Sequence, residues 1–177
     1  MTLRDPRVQT LVPSPLGELR LVASATGLAG LWFVQEQRHE PPADLRAAWP
    51  TVASHPVLDA AARQLEAYFQ GRREDFDLPL DLSQGTPFQR AVWTALLAIP
   101  AGATTTYGAL AASLGLPRAV RAVGAAVGRN PLGIIVPCHR VLGATGKLTG
   151  YAGGLDRKQA LLQLERGATP NIPCPSH

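Results

Sequence analysis

At residue 86 the chain carries a helix-start signal strong enough to divide it in two. Thr86 offers a capping hydroxyl, Pro87 takes the first helical position, and Gln89 completes a capping box. Phe88, Val92 and Leu96 then share one face, and Pro100 ends the helix. Ahead of that signal the pattern is different. Residues 18–24 alternate polar and apolar, Thr26-Gly27 is a turn signal, and 28–34 reads as the returning strand. Pro41-Pro42 marks a loop, and residues 57–70 are helical, with Leu58, Ala61, Ala62, Leu65 and Phe69 on one face and Gly71 as the stop. Residues 72–84 are polar and without period. The expected fold is therefore α+β. A small N-terminal α/β domain with an antiparallel sheet spans 1–78, a linker spans 79–85, a mostly helical domain with a helix-turn-helix spans 86–168, and a flexible tail spans 169–177.

Composition narrows the class. With 46% apolar and 17% charged residues among 177, the chain can bury a core, so disorder is excluded. The formal charge of +4 fits a nucleic-acid partner without demanding one. Of the two cysteines, Cys174 lies in a proline-rich tail, and Cys138 beside His139 suits a reduced compartment. The N-terminus lacks a signal-peptide core, and no apolar run approaches the ~20 residues of a membrane helix. A cytoplasmic monomer, off the membrane, is expected.

The second half is punctuated for a helix pair. One helix runs from about Tyr107 to Leu114 behind Thr104, Thr105 and Thr106, Gly115 closes it, and Pro117 opens another reaching about Gly128. On a wheel, Leu116, Val120, Val123 and Val127 point inward, while Arg118, Arg121, Ala122, Ala125 and Arg129 point outward. Small residues let a backbone approach a flat partner, and arginines reach phosphates. A plain solvated face fits the same residues. The threonines with Tyr107 at a helix start make a phosphate cradle, although N-capping alone accounts for one of them.

The chemistry concentrates in Asn130-Pro131-Leu132-Gly133-Ile134-Ile135-Val136-Pro137-Cys138-His139-Arg140. An apolar approach and a rigid proline can hold a thiol still, and a neighbouring histidine or arginine favours the nucleophilic thiolate. Most Cys-His neighbours are structural. No zinc spacing exists, because His39, His55 and His177 are scattered, so no metal is expected. A last helix capped by Asp156 runs to Arg166, with Gly167 after it. Its Glu165 falls among Leu161, Leu162 and Leu164 near the C-terminus, where burial and dipole both disfavour a carboxylate. Either it has a buried partner, such as a histidine, or it frays to water.

Val136-Pro137-Cys138-His139-Arg140-Val141 resembles the active-site signature of the O6-alkylguanine-DNA alkyltransferases, the methylated-DNA–protein-cysteine methyltransferases. The resemblance extends through Phe88-Gln89…Val92-Trp93, Thr106-Tyr107, Arg121-Ala122-Val123-Gly124, Asn130-Pro131, Tyr151-Ala152-Gly153-Gly154 and Leu161-Leu162…Glu165. It implies single-use transfer of an alkyl group from O6-alkylguanine in double-stranded DNA to Cys138, with no cofactor. By position, His139 relays the thiol proton through a water to Glu165, and Asn130 holds the turn. Tyr107 pushes a phosphate and donates to guanine N3, and Arg121 fills the space left by the flipped base. Thr105, Thr106, Arg118, Ala122, Ala125 and Arg129 contact DNA in the minor groove, and the base pocket takes Tyr107, Cys138, Val141, Tyr151, Ala152 and Gly153. A DNA-binding module without chemistry and a Cys-His hydrolase are the rivals. Cys138 opposes the first, and the absence of an oxyanion motif opposes the second.

Overall fold

The computed structural model describes residues 6–167, so the expected tail and its Cys174 lie outside the described residues. The alternating segments pair as expected. β1 (Val8–Val12), β2 (Leu19–Ala23) and β3 (Leu28–Phe33) form an antiparallel meander, with Leu19 opposite Phe33 and Leu21 opposite Leu31. β1 carried no sequence expectation. Every residue of β3 is buried because the sheet is covered on both faces. α2 (Pro56–Phe69) buries Leu58, Ala61, Leu65 and Tyr68, and the second face holds a small cluster of Val22, Trp32 and Trp49. Trp49 follows a short α1 (Ala43–Ala47) that the double proline had concealed.

The free edge of β3 explains how the halves join. Leu28 N donates to Pro79 O at 2.8 Å and Asp81 N donates to Leu28 O at 2.8 Å, so residues 79–81 pair with the start of the strand. Farther along, Leu31 N donates to Pro131 O at 2.8 Å, and Leu31 bridges Leu132. The stretch leading to Cys138 is thus laid on the N-terminal sheet. One core cluster runs through both halves, from Leu19, Phe33 and Tyr68 to Trp93, Val123, Val136 and Leu161.

α3 (Pro87–Leu97) begins on the anticipated box, with Thr86 Oγ1 accepting from Gln89 N at 3.1 Å and Gln89 Oε1 accepting from Thr86 N at 3.0 Å. Its Trp93 Nε1 donates to Ala126 O at 2.8 Å, fixing α3 to α5 (Val120–Gly128). Between them, β4 (Thr105–Thr106) runs parallel to β5 (Val141–Leu142), and α4 (Tyr107–Ser113) is capped by Thr106. α6 (Leu155–Glu165) closes the chain.

Three details differ from expectation. α5 starts at Val120, not Pro117, so Arg118 sits in the preceding turn. Leu116 and Val120 are 40% and 36% exposed, because a wheel does not extend past the helix start; Val123, Val127 and Ala126 form the inward face. Asp156 does not cap α6. Gly154, at φ 94°, precedes the helix, and Asp156 lies in its first turn, where the dipole still favours it.

Candidate active site

Cys138 sits where a tight segment meets a cavity. Residues 130–136 fold into turns. Val136 N donates to Leu132 O and Ile135 N to Gly133 O, both at 2.8 Å, and Ile134 adopts φ 71°, which a β-branched residue rarely tolerates. Asn130 clamps this segment from inside: its Nδ2 donates to Val136 O at 2.7 Å and its Oδ1 accepts from Leu132 N at 2.9 Å. A 3₁₀ turn over Cys138–Arg140 follows.

Cys138 is 7% exposed. Burial pushes it above the usual cysteine range; the Asn130 amide, the Lys158 ammonium and the N–H groups of residues 138 and 139 oppose that rise. Lys158 is fully buried and gave no sequence signal. Its Nζ donates to Val141 O (2.6 Å), Thr149 O (2.9 Å) and Gly150 O (3.1 Å), stapling the loop before Tyr151. Burial lowers it to about 8, and the charge of Cys138 acts the other way.

Behind the thiol, His139 is fully buried, and its Nε2 lies 2.6 Å from Glu165 Oε1. That contact is direct, which corrects a water between the two. Glu165 is not frayed, since its side chain is 1% exposed. It also accepts from Arg140 Nε (2.9 Å), Arg140 Nη2 (2.8 Å) and Tyr68 Oη (2.7 Å). Burial alone would raise this carboxyl, but the His139, Arg140 and Tyr68 donors outweigh it and hold it well below the carboxylate range. An ionised Glu165 cannot donate, so Nε2 carries the hydrogen. In the neutral ring, Nδ1 is then the basic nitrogen, and it is buried without a protein partner. Burial also lowers His139, against the pull of Glu165.

A cavity of about 140 Å³ opens on Cys138, lined by Tyr107, Gly124, Val127, Gly128, Gly150, Tyr151 and Ala152, and by Arg38 and His39 from the N-terminal half. Of the six expected pocket residues, Tyr107, Cys138, Tyr151 and Ala152 line it. Val141 and Gly153 do not: Val141 is fully buried in β5 with its carbonyl on Lys158, and Gly153 is pressed against Tyr151 and Phe33. Arg38 and His39 were missed because a loop distant in sequence brings them there. Tyr107 Oη donates to Thr149 O at 3.3 Å, and burial and the nearby thiol hold its phenol above 10. α5 lies against that ring at Gly124, where even a Cβ would make only an ordinary van der Waals contact of 3.7 Å with it. A larger cavity, about 410 Å³, is lined by Phe76, Ile99, Pro137 and Arg140 among others, and reaches neither Cys138 nor a histidine.

Arg121, Ala122, Ala125 and Arg129 are exposed, as the wheel required, and Arg118 is exposed in the turn before α5. Thr105 and Thr106 are half-buried: Thr105 pairs with Val141, and Thr106 Oγ1 accepts from Ala109 N at 3.1 Å, leaving its own hydrogen free to donate. No three His, Cys, Asp or Glu side chains cluster among the described residues. No helix among them is long and apolar enough to cross a membrane.

Comparisons with known proteins agree with this geometry. Residues 87–167 match the 6-O-methylguanine DNA methyltransferase DNA binding domain, and residues 8–82 match the ribonuclease-like domain of the same family. The chain is 51% identical over 156 residues to a methylated-DNA–protein-cysteine methyltransferase of Methanosarcina barkeri, covering 88% of this chain and 94% of that one. It is 49% identical over 159 residues to the Mycobacterium tuberculosis protein of that name, covering 90% and 92%. The structure of M. tuberculosis OGT in complex with DNA superposes with a TM-score of 0.82 at 46% identity, over 93% of this chain and 96% of that chain. With both halves matched and half of the aligned residues shared, the chain belongs to the 6-O-methylguanine DNA methyltransferase family.

Proposed function

We propose that the protein repairs O6-alkylguanine in double-stranded DNA by moving the alkyl group, once, to Cys138. One observation carries the reading: a buried thiol opens on a small cavity, backed by a histidine whose Nε2 hydrogen is fixed on an ionised Glu165. Nδ1 of His139, which has no protein partner, takes the thiol proton. The proton stays on the ring. Glu165, already holding Arg140 and Tyr68, stabilises the imidazolium and does not accept the proton itself. The thiolate attacks the alkyl carbon, a C–S bond forms, and the C–O6 bond breaks. The electron pair of that bond stays on the guanine, where Tyr107, kept protonated by burial, donates a hydrogen bond to N3; the imidazolium balances the charge until the base takes a proton at N1 from solvent and His139 returns its own to solvent. Asn130 and Lys158 hold the turn and the loop that frame the reacting atoms.

The substrate atom lies inside a stacked duplex, so the nucleotide has to leave the helix to reach Cys138. The helix-turn-helix of α4 and α5 supplies the surface for that. Ala122 and Ala125 allow close approach of α5 to a minor groove, Arg118 and Arg129 reach phosphates, and Arg121 takes the place of the extruded base. Thr105 and Thr106 remain donors toward a phosphate. A thioether at Cys138 has no good leaving group, so each chain reacts once. Peptide mass spectrometry after exposure to O6-methylguanine DNA tests the whole reading. One methyl on Cys138 and plain guanine in the DNA are expected. Turnover beyond one equivalent, or a methyl on another residue, rejects it.

A further inference from the structure

We infer that Arg38, in the loop after β3, binds a phosphodiester of the strand that carries the extruded nucleotide, so that the N-terminal half holds DNA as well. The inference rests on the reading of the protein as an alkyltransferase acting on DNA. The cavity mouth has two sides. One belongs to α5, which contributes Gly124, Val127 and Gly128 and carries Arg121 and Arg129 in the open. The other is the loop bearing Arg38 and His39, which line the same cavity as Cys138.

That loop is built, not draped. Arg38 N donates to Ala152 O at 2.7 Å, on the pocket wall itself. Arg157 Nη1 donates to Gln35 O at 2.9 Å and Arg157 Nε to Leu16 O at 3.0 Å, while its guanidinium lies 4.1 Å over the Phe33 ring. Glu36 and His39 hold φ values of 59° and 58°, a left-handed backbone that side-chain-bearing residues seldom adopt. Two such residues flanking Arg38 fix where its side chain leaves the loop. Local carboxylates are engaged elsewhere: Glu40 pairs with Arg46, and Glu36 acts on Arg157. The Arg38 guanidinium is exposed and meets no carboxylate among the described residues.

Covalent chemistry supplies the partner. A nucleotide that enters the cavity base-first stays tied to its two flanking phosphates, which are too charged to follow it inward and so stop at the mouth. A guanidinium there has only donors, and the anion it meets is a phosphodiester. Arg38 acts on position, not on the reacting atoms.

The test uses the full chain and one lesion in three settings: a phosphodiester duplex, the same duplex with neutral methylphosphonates flanking O6-methylguanine, and free O6-benzylguanine. Arg38→Ala should slow transfer from the phosphodiester duplex about tenfold at ~0.15 M salt, the scale of one charge-assisted contact. Its loss on the free base should be much smaller. The methylphosphonate duplex should slow the wild type by a similar factor, and Arg38→Ala should add little further loss on it. Equal loss on duplex and free base, losses that multiply on the methylphosphonate duplex, or no loss at all would each overturn the inference. If the wild type takes no alkyl group from any substrate, the functional reading itself fails, and the inference with it.

Discussion

Glu165 concentrates four donor atoms, from His139, Arg140 and Tyr68, on one buried carboxylate. Removing its charge strands Arg140 and frees the His139 ring. Glu165→Gln is expected to cost about 3–5 kcal/mol in urea unfolding, the scale of a broken buried pair. Transfer should slow on the order of 10–100-fold in the protein that remains folded, as loss of an orienting partner does. The carboxyl is held below its ordinary 4.5, so its contribution is complete above pH 4.5 and is lost as the pH falls below it. His139 has the same sign: burial keeps its native form from taking a proton that the unfolded chain accepts near pH 6.5. The melting temperature should therefore fall from neutral pH into acid, and the limb below pH 4.5 should be shallower in Glu165→Gln. Cys138→Ala removes only the nucleophile. It should abolish transfer yet retain DNA binding that weakens with salt, read by fluorescence anisotropy. Cys138, His139 and Asn130 were legible because they are close in sequence. Tyr68, Lys158 and Arg38 were not, since only tertiary packing shows that a helix tyrosine, a helix lysine and a loop arginine face one site.

Tyr68 Oη of α2 donates to Glu165 of α6. Tyr68→Phe keeps the packed ring and deletes that donor. It should cost about 1.5–3 kcal/mol, the range for a hydrogen bond to a charged group, and much less in a Glu165→Gln background. A full cost in both backgrounds would assign the loss to packing. α5 carries a different test. Arg121→Ala should slow repair of duplex DNA more than reaction with a free O6-alkylguanine base, because opening a stacked pair costs a few kcal/mol and only the duplex pays it. Helices were legible where a local device marks them: the Thr86 box set the start of α3. α5 and α6 lack side-chain caps, and their starts were misplaced toward the nearest proline and aspartate. The start of each depends on packing that no local residue announces.

Across the whole molecule, the two halves distinguished by sequence pattern share one core and the same edge of β3. Fluorescence of the tryptophans and far-UV circular dichroism should report one coincident unfolding transition; two separated transitions would show independent units. The division at residue 86 was legible because strand alternation gives way to helix punctuation there. Its energetic unity was not, since contacts such as Leu31 to Pro131 join residues about a hundred positions apart. The buried thiol has a further consequence. A nucleophile spent after one reaction has to survive in storage, among peroxides and electrophiles that consume thiolates. Cys138 is almost wholly shielded from solvent, and burial keeps its thiol protonated. Shelf life and reactivity are thereby separated: the resting protein is a poor target for oxidants, and the lesion that enters the cavity is the event that arms it.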